Sequence, residues 1–322
     1  MPYANAAAIS RPEISEFLMQ AQGAEDLLIA EKVLGVFKSP AKHGRYPKIE
    51  IAAGGLLNAE TLSANRRGQT GTYNEIERKW TYDTYDCEEF GLEERIDDAV
   101  SAEMTKFFDT EVLVSKNLRK NIMFGHEKAV ADLVMSSANS GVTATNSTVA
   151  YTEANLATFD FPLDLTNAIA RLEALAVVPD TLVLSRAVFN RVVRSTFLQK
   201  YLFGPVTNNG NAHITKEIIA DRFGLKRVLI GAANYNTGGK GLAYSGSPIW
   251  GNTTMLLAKT GSGSFDNDLG RSIVWTGDAS SLYVAESYRD EKRRSDMMRV
   301  RMHYSNKITD TTAAQLITTQ FS

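Results

Sequence analysis

The chain has 322 residues, of which 43% are hydrophobic and 22% are charged, a composition typical of folded globular proteins rather than disordered ones. Its formal net charge of −2 argues against a dedicated nucleic-acid-binding protein, which usually carries a clearly basic domain. The single cysteine, Cys87, excludes an intrachain disulfide and a multi-cysteine metal site, and we expect a structural thiol at a strand end. Because the chain has no signal-peptide pattern and no apolar run near ~20 residues, we expect a soluble cytoplasmic product without a membrane partner.

The first third of the chain predicts an arm followed by a long hairpin. Residues 1 to about 40 are typical of a short arm with one or two helical pieces. Tyr46 to Asp86 predict two strands around a polar tip, Asn58 to Gly71. The apolar residues that alternate with polar neighbours on the two strands are Ile49, Ile51, Ile76, Trp80 and Tyr82. Since an isolated two-stranded ribbon is marginal in water, we expect a neighbouring copy to supply the surface on which it lies.

The longest helical pattern runs from about Glu93 to Ser137, where apolar residues recur mostly three or four positions apart. Gly125 is the candidate position for a kink or an interruption. A continuous helix of ~40 residues would be roughly 60 Å long. Such a helix is too long for one small core, so we expect a spine that lies across other elements.

The remaining chain predicts an α/β lobe and extended segments. Residues 138–161 are rich in Ser, Thr and Asn and indicate a loop with an edge strand. Residues 163–260 alternate between helical and strand patterns, which favours a compact α/β lobe. Residues 282–308 are mainly extended, and residues 311–322 add a short terminal strand.

Motifs that would indicate catalysis or metal binding fail on their spacing. The segment Gly238-Gly239-Lys240-Gly241 lacks the earlier glycine and the following Ser or Thr of a phosphate-binding loop, so it predicts a tight turn. Asp266 to Gly270 lacks the glycine and closing glutamate of a calcium loop. The four histidines lie far apart. We therefore nominate no catalytic, cofactor-binding or metal-binding residue; an enzyme built on residues 163–279 stays an alternative that would need a pocket with convergent polar groups.

Two segments of opposite charge stand out. Residues 83–98 carry eight acids and one base, whereas residues 289–301 carry six bases and three acids. One interpretation is two solvated faces, since single exposed ion pairs contribute only ~0–1 kcal/mol. The other is a pair of complementary patches that meet between subunits and set their register.

One stretch carries a family resemblance through the order of its elements. A buried-type strand at Thr181–Ser185 follows Pro179 and Asp180, and a helix begins at Arg186. The later segments of the series are a helix at Ile214–Gly224, a strand at Arg227–Ala233, Tyr235-Asn236, a glycine-rich turn, and Ile249-Trp250-Gly251. This order resembles the major capsid proteins of tailed bacteriophages, with the Hong Kong 97-like capsid fold.

The resemblance covers essentially the whole chain and implies an α+β fold with a fixed division. The implied segments are an N-terminal arm (1–40), an extended β-hairpin loop (41–92), a peripheral domain with the spine helix (93–162), an α/β axial domain (163–279), returning peripheral strands (280–310) and a C-terminal strand of the axial domain (311–322). The function it implies is structural: self-assembly into pentamers and hexamers of an icosahedral head that encloses double-stranded DNA. No enzymatic activity and no cofactor are expected.

The resemblance also implies partners and a location. The chain would contact its own copies, a portal, decoration proteins and non-specifically packaged double-stranded DNA. Its short segment before the hairpin implies a separate scaffolding protein, or a matured or naturally short form. It would assemble in the host cytoplasm and reside in the virion capsid. The alternative within the same fold is the shell of a bacterial nanocompartment. As inter-subunit contacts we predict Arg66, Arg67, Trp80, Tyr82, Glu93, Glu94, Arg293 and Arg294.

Overall fold

The computed structural model describes residues 9–10, 27–48, 71, 81–99, 109–204, 214–239, 241–261, 268–277 and 282–321. The helices are α1 (Ala30–Val33), the spine helix α2 (Thr110–Val134), α3 (Ser137–Ser140), α4 (Phe161–Ala174), α5 (Arg186–Arg194), α6 (Thr196–Phe203) and α7 (Lys216–Phe223). The strands are β1 (Ile9–Ser10), β2 (Gly35–Ser39), β3 (His43–Lys48), β4 (Thr81–Asp86), β5 (Glu88–Asp97), β6 (Ala144–Asn146), β7 (Thr181–Ser185), β8 (Arg227–Gly231), β9 (Asn234–Asn236), β10 (Gly246–Pro248), β11 (Thr254–Ala258), β12 (Gly270–Trp275), β13 (Val284–Asp290), β14 (Ser295–Ile308) and β15 (Ala314–Thr318).

Two larger sheets organise these elements into the α+β fold that the sequence predicts. The six-stranded sheet has the order β1-β13-β14-β12-β2, with β5 also paired to β14. The five-stranded sheet has the order β6-β15-β11-β7-β8. Two ribbons, β3–β4 and β9–β10, pair only within themselves among the described strands.

The spine helix lies on one face of the six-stranded sheet. Its buried residues Val114, Leu118 and Ile122 belong to the same apolar cluster as Met298 and Val300 of β14. The Asp109 side chain caps its first turn by accepting from the backbone N–H groups of residues 111 and 112. The described helix of 25 residues is about 37 Å long and passes through Gly125 without interruption.

The predicted start of this helix at Glu93 is wrong. Residues 88–97 form β5, which pairs antiparallel with residues 295–304 of β14 over its whole length. Phe90 and Leu92 alternate on β5 as in a strand, whereas Leu92 and Ile96 are four positions apart, a spacing that also fits a helix. The predicted end is also too late, since Ser137 begins the separate short helix α3. Residues 100–108 lie outside the described part of the chain.

A buried carboxylate joins the spine helix to two distant segments. Glu127 Oε2 accepts from the Ala30 backbone N–H at 2.8 Å, and its Oε1 accepts from Ile29 N–H at 2.9 Å and from Trp250 Nε1 at 2.5 Å. Burial raises the pKa of Glu127 above its ordinary value, and the three donors oppose that rise. The carboxylate therefore holds α1 and Trp250 against one turn of the helix.

This contact corrects the prediction that residues 1 to about 40 all belong to a short arm. Leu28, Val33 and Leu34 are buried in the same cluster as Val130, Val134 and Trp250. Strand β2 then runs parallel to β12 inside the six-stranded sheet. Residues 27–39 therefore belong to the body of the subunit, and residues 11–26 lie outside the described part.

The α/β lobe follows the predicted order of elements. Strands β7 and β8 are parallel neighbours, and Leu182 and Leu184 of β7 are fully buried against Phe161 and Leu165 of α4. The Ser185 hydroxyl caps α5, and α7 ends at Gly224 with a φ of +68°, a left-handed conformation that favours glycine. The C-terminal strand β15 pairs with β11 and β6 in this sheet, as expected.

The sheet pairing departs from the predicted division at one strand. Residues 163–279 were assigned to the axial domain, but β12 pairs with β14 and β2 in the six-stranded sheet. The reason is that the chain leaves the lobe after β11 and returns along the spine helix. The division into domains stays a prediction in its other parts.

His126 fastens the spine helix to the six-stranded sheet beside Glu127. Its Nε2 lies 2.8 Å from Ser272 Oγ on β12 and 3.3 Å from Asn306 Oδ1 on β14, and its ring packs edge-on against Tyr304. Burial lowers its pKa from 6.5 to about 4. The imidazole is therefore neutral in the folded subunit at neutral pH.

We expect the free energy of unfolding to fall as the pH is lowered from about 6.5 to about 4. The unfolded chain takes up the His126 proton in this window, whereas the folded chain does so only near its lower limit, a difference of about 3 kcal/mol. Urea unfolding of unassembled subunits at several pH values measures the slope. His126→Gln should flatten this part of the curve; an unchanged slope in the variant would assign the acid sensitivity to other groups.

Glu127→Gln should lower the free energy of unfolding by about 1–3 kcal/mol at neutral pH. The substitution places an NH₂ donor against the buried N–H groups of Ile29, Ala30 and Trp250, leaving one of them without an acceptor. The matched control is Asp132→Asn on the exposed side of the same helix, where the ion pair with Lys128 is worth about 0.3–0.5 kcal/mol. Equal effects of both variants in denaturant titrations would contradict the role assigned to Glu127.

Candidate inter-subunit surface

The base of the long hairpin is fixed to the six-stranded sheet by two tyrosines. Strands β3 and β4 pair antiparallel with Tyr46 opposite Asp83. The Tyr46 hydroxyl lies 3.1 Å from Asp83 Oδ2 and 3.3 Å from the carbonyl oxygen of Ile308, at the end of β14. Tyr85 Oη lies 2.8 Å from Ser39 Oγ on β2. The hairpin predicted for residues 46–86 is therefore confirmed at its base, and the position of that base is set by β2 and β14.

Cys87 lies under this base, between β4 and β5. The thiol is fully buried, and Sγ lies 3.6 Å from the carbonyl oxygen of Ile273 on β12. Burial, with a smaller contribution from Asp86, raises the pKa of the thiol to about 11, so it stays protonated at neutral pH. The predicted structural role of this cysteine is confirmed.

On β4, at the base of the hairpin, the predicted contact residue Tyr82 is exposed to solvent. Tyr82 is 65% exposed, and the Lys48 Nζ beside it lies 3.0 Å from Asp83 Oδ2. Trp80, Arg66 and Arg67 lie outside the described residues. Their contacts with another copy, and that of Tyr82, stay predictions.

The acidic and basic segments meet within one chain. The register of β5 on β14 places Glu93 opposite Arg299, and their side chains are 3.0 Å apart. Arg289 reaches Asp98 at 2.6 Å, and the hydrogen bonds from its guanidinium hold the pKa of Asp98 below the ordinary value. Further pairs that join the strands are Arg301 with Glu286 at 2.7 Å and with Glu89 at 3.8 Å, and Arg299 with Glu286 at 3.9 Å.

This ladder of ion pairs, formed by residues of β5, β13 and β14, differs from both interpretations of the sequence. The two segments are not separate solvated faces, because they pair with each other. The ion pairs described above form within one chain and need no second copy. The sequence could not show it, because the pairing depends on a strand register that joins residues about 200 positions apart. Arg289 and Arg299, which the sequence analysis did not single out as contact residues, are its central cations.

The remaining candidates lie at the edge of this ladder. Glu94 is exposed on β5 opposite Met298. Arg293 and Arg294 are exposed in the turn between β13 and β14, where Arg293 Nε lies 3.7 Å from Asp290 and Arg294 has a φ of +48°. Their contacts with a second copy, like that of Glu93, stay predictions.

The turn predicted between β9 and β10 is confirmed. Asn236 Oδ1 accepts from the backbone N–H groups of Gly238 and Ser245, and Thr237 N–H donates to the Ser245 carbonyl oxygen at 2.8 Å. Asp268, in the segment whose spacing fails as a calcium loop, is buried beside Arg271 at 3.4 Å. In the part of the chain that the structure describes, no cluster of three His, Cys, Asp or Glu side chains could hold a metal ion, and no helix is both long and apolar enough to cross a bilayer.

Comparison with known proteins finds similar structures but no similar sequence or family model. No protein-family model matches the chain, and no curated protein matches its sequence. A phage-related protein from Bordetella bronchiseptica superposes with a TM-score of 0.71 at 16% identity, over 98% of this chain and 99% of that one. The capsid of cyanophage P-SCSP1u gives a TM-score of 0.57 at 12% identity, over 92% of this chain and 88% of its own.

The chain has the Hong Kong 97-like capsid fold. An encapsulin complex from Synechococcus elongatus shares it, with a TM-score of 0.55 at 11% identity over 94% of each chain. At these identities the likeness describes architecture alone. It confirms the fold that the sequence resemblance implies.

On this capsid fold, β5 is the exposed edge of the six-stranded sheet. Among the described strands it pairs with β14 alone, and every residue from 88 to 95 is exposed. Phe90 stacks on Tyr304 at 4.3 Å but remains 38% exposed, and Leu92 is 43% exposed. The alternation of these two apolar residues is a strand signal that the sequence prediction did not use, because it placed both residues in the extended loop (41–92) and began the helix at Glu93.

Exposed apolar side chains also mark two places on the α/β lobe of this fold. Helix α6 presents Phe197, Tyr201 and Phe203, each about 40% exposed. The turn between β9 and β10 presents Leu242 at 73% and Tyr244 at 69%. Apolar groups of this size on a surface are typical of contacts with other proteins.

Charge exchange tests the ladder directly. Glu93→Arg or Arg299→Glu alone should lower the stability of the unassembled subunit by up to about 1 kcal/mol, because both groups are partly exposed. The double exchange should restore most of the loss, and a double-mutant cycle in urea measures the coupling.

The matched control is the exchange of Glu93 with Arg293, which lies outside the pair. If Arg293→Glu restored the stability lost in Glu93→Arg and Arg299→Glu did not, the result would contradict the register of β5 on β14.

Proposed function

We propose that this chain is the subunit of a closed protein shell, a major capsid protein that assembles into pentamers and hexamers of an icosahedral phage head around double-stranded DNA. The observation that carries the proposal is the superposition of nearly the whole chain on a phage-related protein, with nearly all of that protein covered. The likeness to the capsid of cyanophage P-SCSP1u supports a role in a shell. The role is structural rather than enzymatic.

The exposed features of the subunit support self-assembly. The described base of the hairpin is a two-stranded ribbon anchored to the end of β14, and such a ribbon is marginal without a surface beneath it. The β5 edge and the apolar residues of α6 are further surfaces that a second copy can cover. Identical copies related by closed symmetry provide such surfaces at every position of a shell.

The partners follow from the role. We propose contacts with other copies through Tyr82, Trp80 and the charged residues at Arg66, Arg67, Glu94, Arg293 and Arg294. A separate scaffolding protein, a portal and decoration proteins complete the head, which assembles in the host cytoplasm and becomes part of the virion.

The second candidate is the shell of a bacterial nanocompartment that holds protein cargo. The likeness to the Synechococcus elongatus encapsulin supports it, because its TM-score is close to that of the cyanophage capsid. The two functions differ in what the shell encloses. Nucleic acid points to a phage head, and protein cargo points to a nanocompartment.

The purified full-length chain should form rings or closed shells in negative-stain electron microscopy, alone or with a scaffolding protein. Subunits that form shells should sediment far faster than a 35.4 kDa monomer. A monodisperse monomer at high concentration under both conditions would contradict the shell proposal. Particles isolated from the native source and treated with nuclease should retain double-stranded DNA; particles that contain protein alone would support the nanocompartment instead.

A further inference from the structure

One edge of the six-stranded sheet is long and regular. Strand β5 pairs with β14 through consecutive residues from 88 to 97, without a bulge. Its other side has no partner among the described strands, and its sequence contains no proline. Many proteins shorten such an edge, bend it with a bulge or interrupt it with proline, because an open edge can accept a further strand. None of these three protections is present on β5.

The helix side of this edge carries two apolar side chains. Phe90 and Leu92 point to the same side of the sheet, because successive residues of a strand alternate. Phe90 stacks on Tyr304, which belongs to the apolar cluster beneath the spine helix. Since both side chains remain about 40% exposed, they offer an apolar surface to a strand that adds to the edge.

Two carboxylates flank the apolar pair on the same side of the sheet. Glu88 precedes Phe90 by two residues, and Glu94 follows Leu92 by two. Both glutamates are exposed, and at about 3.3 Å per residue their Cα atoms lie about 20 Å apart along the strand. We call Glu88, Phe90, Leu92 and Glu94 the open strip.

The glutamates on the opposite side of β5 already have partners. Glu89 lies 3.8 Å from Arg301, and Glu93 lies 3.0 Å from Arg299. The two glutamates of the open strip form no ion pair within the part of the chain that the structure describes. The open strip therefore presents unbalanced negative charge around an apolar centre.

This pattern determines which strand can add to β5. The β5 edge of an identical copy is disfavoured, because it brings the same glutamates against those of the strip. A strand with basic residues opposite Glu88 and Glu94, and with apolar residues opposite Phe90 and Leu92, gains a favourable pair at each of these positions.

We propose that the edge of β5 binds an extended basic segment of a partner protein, in which two apolar residues at alternate positions are flanked by lysine or arginine. Backbone hydrogen bonds to β5 provide the affinity, and the alternating side chains of the open strip select the partner. The inference goes beyond the proposed function, because it assigns a docking site that an unassembled subunit already presents.

The test measures binding of a fluorescent synthetic peptide to unassembled full-length subunits by anisotropy. The peptide carries lysine, valine, valine and lysine at alternate positions, with serine or threonine between them. The unmodified chain should bind it at least about tenfold more tightly than a peptide with glutamate in place of both lysines, because two exposed ion pairs become two repulsions.

Charge reversal on the subunit should reverse this preference. The test variant carries Glu88→Lys and Glu94→Lys, and we expect it to bind the glutamate peptide in place of the lysine peptide. The matched control carries Glu173→Lys and Asp221→Lys, two exposed acids of the α/β lobe, which gives the same change in net charge. Its preference should stay that of the unmodified chain.

A third peptide separates strand addition from simple attraction of charge. It keeps the lysines and valines but carries N-methyl groups on the backbone nitrogens that face β5. Methylation removes the donors that pair with the edge, so binding should be lost although the charge of the peptide is unchanged.

Other outcomes overturn the proposal. If the unmodified chain binds neither charged peptide, the edge takes no basic segment. An equal change in the control variant assigns the binding to net charge, and equal binding of the methylated peptide assigns it to charge without strand pairing. If no peptide binds and the test variant folds but no longer forms shells, the edge belongs to a contact between copies. Failure of the unmodified chain to form shells contradicts the proposed function alone, since the peptide assay uses unassembled subunits.

Discussion

The subunit depends on one buried carboxylate. Glu127 lies in the middle of the spine helix and accepts hydrogen bonds from α1 on one side and from Trp250 on the other. An ionised group in such a place is tolerated only because three donors surround it. The segments that it joins are separated by about 100 residues in both directions, so this contact closes the subunit around its helix.

The six-stranded sheet then sets the positions of the outward features. Strand β14 pairs with β5, β13 and β12, and its last residue accepts a hydrogen bond from Tyr46 at the hairpin base. The spine helix covers one face of this sheet. The ion-pair ladder, the hairpin and the exposed edge are therefore placed by a single long strand.

Local signals explain how much of the fold could be predicted. The α/β lobe was predicted well because its strands are continuous apolar runs and its helices begin and end at local caps such as Ser185 and Gly224. The start of the spine helix was not, because Leu92 and Ile96 are four positions apart, as in a helix, and the strand is selected by pairing with β14. The ion-pair ladder and the burial of α1 depend likewise on contacts between residues far apart in sequence. Of the predicted contact residues, Tyr82, Glu94, Arg293 and Arg294 are exposed. The sequence suggested their exposure but not the strands and the turn on which they lie.

The exposed edge of β5 has a consequence for subunits before they meet their proper partners. Its outer side, which has no partner among the described strands, offers a row of backbone donors and acceptors to any similar strand, including that of an identical copy. Glu88 and Glu94 stand on this edge in every copy. Two such edges approaching each other bring like charges together, and this repulsion opposes edge-to-edge pairing between identical chains.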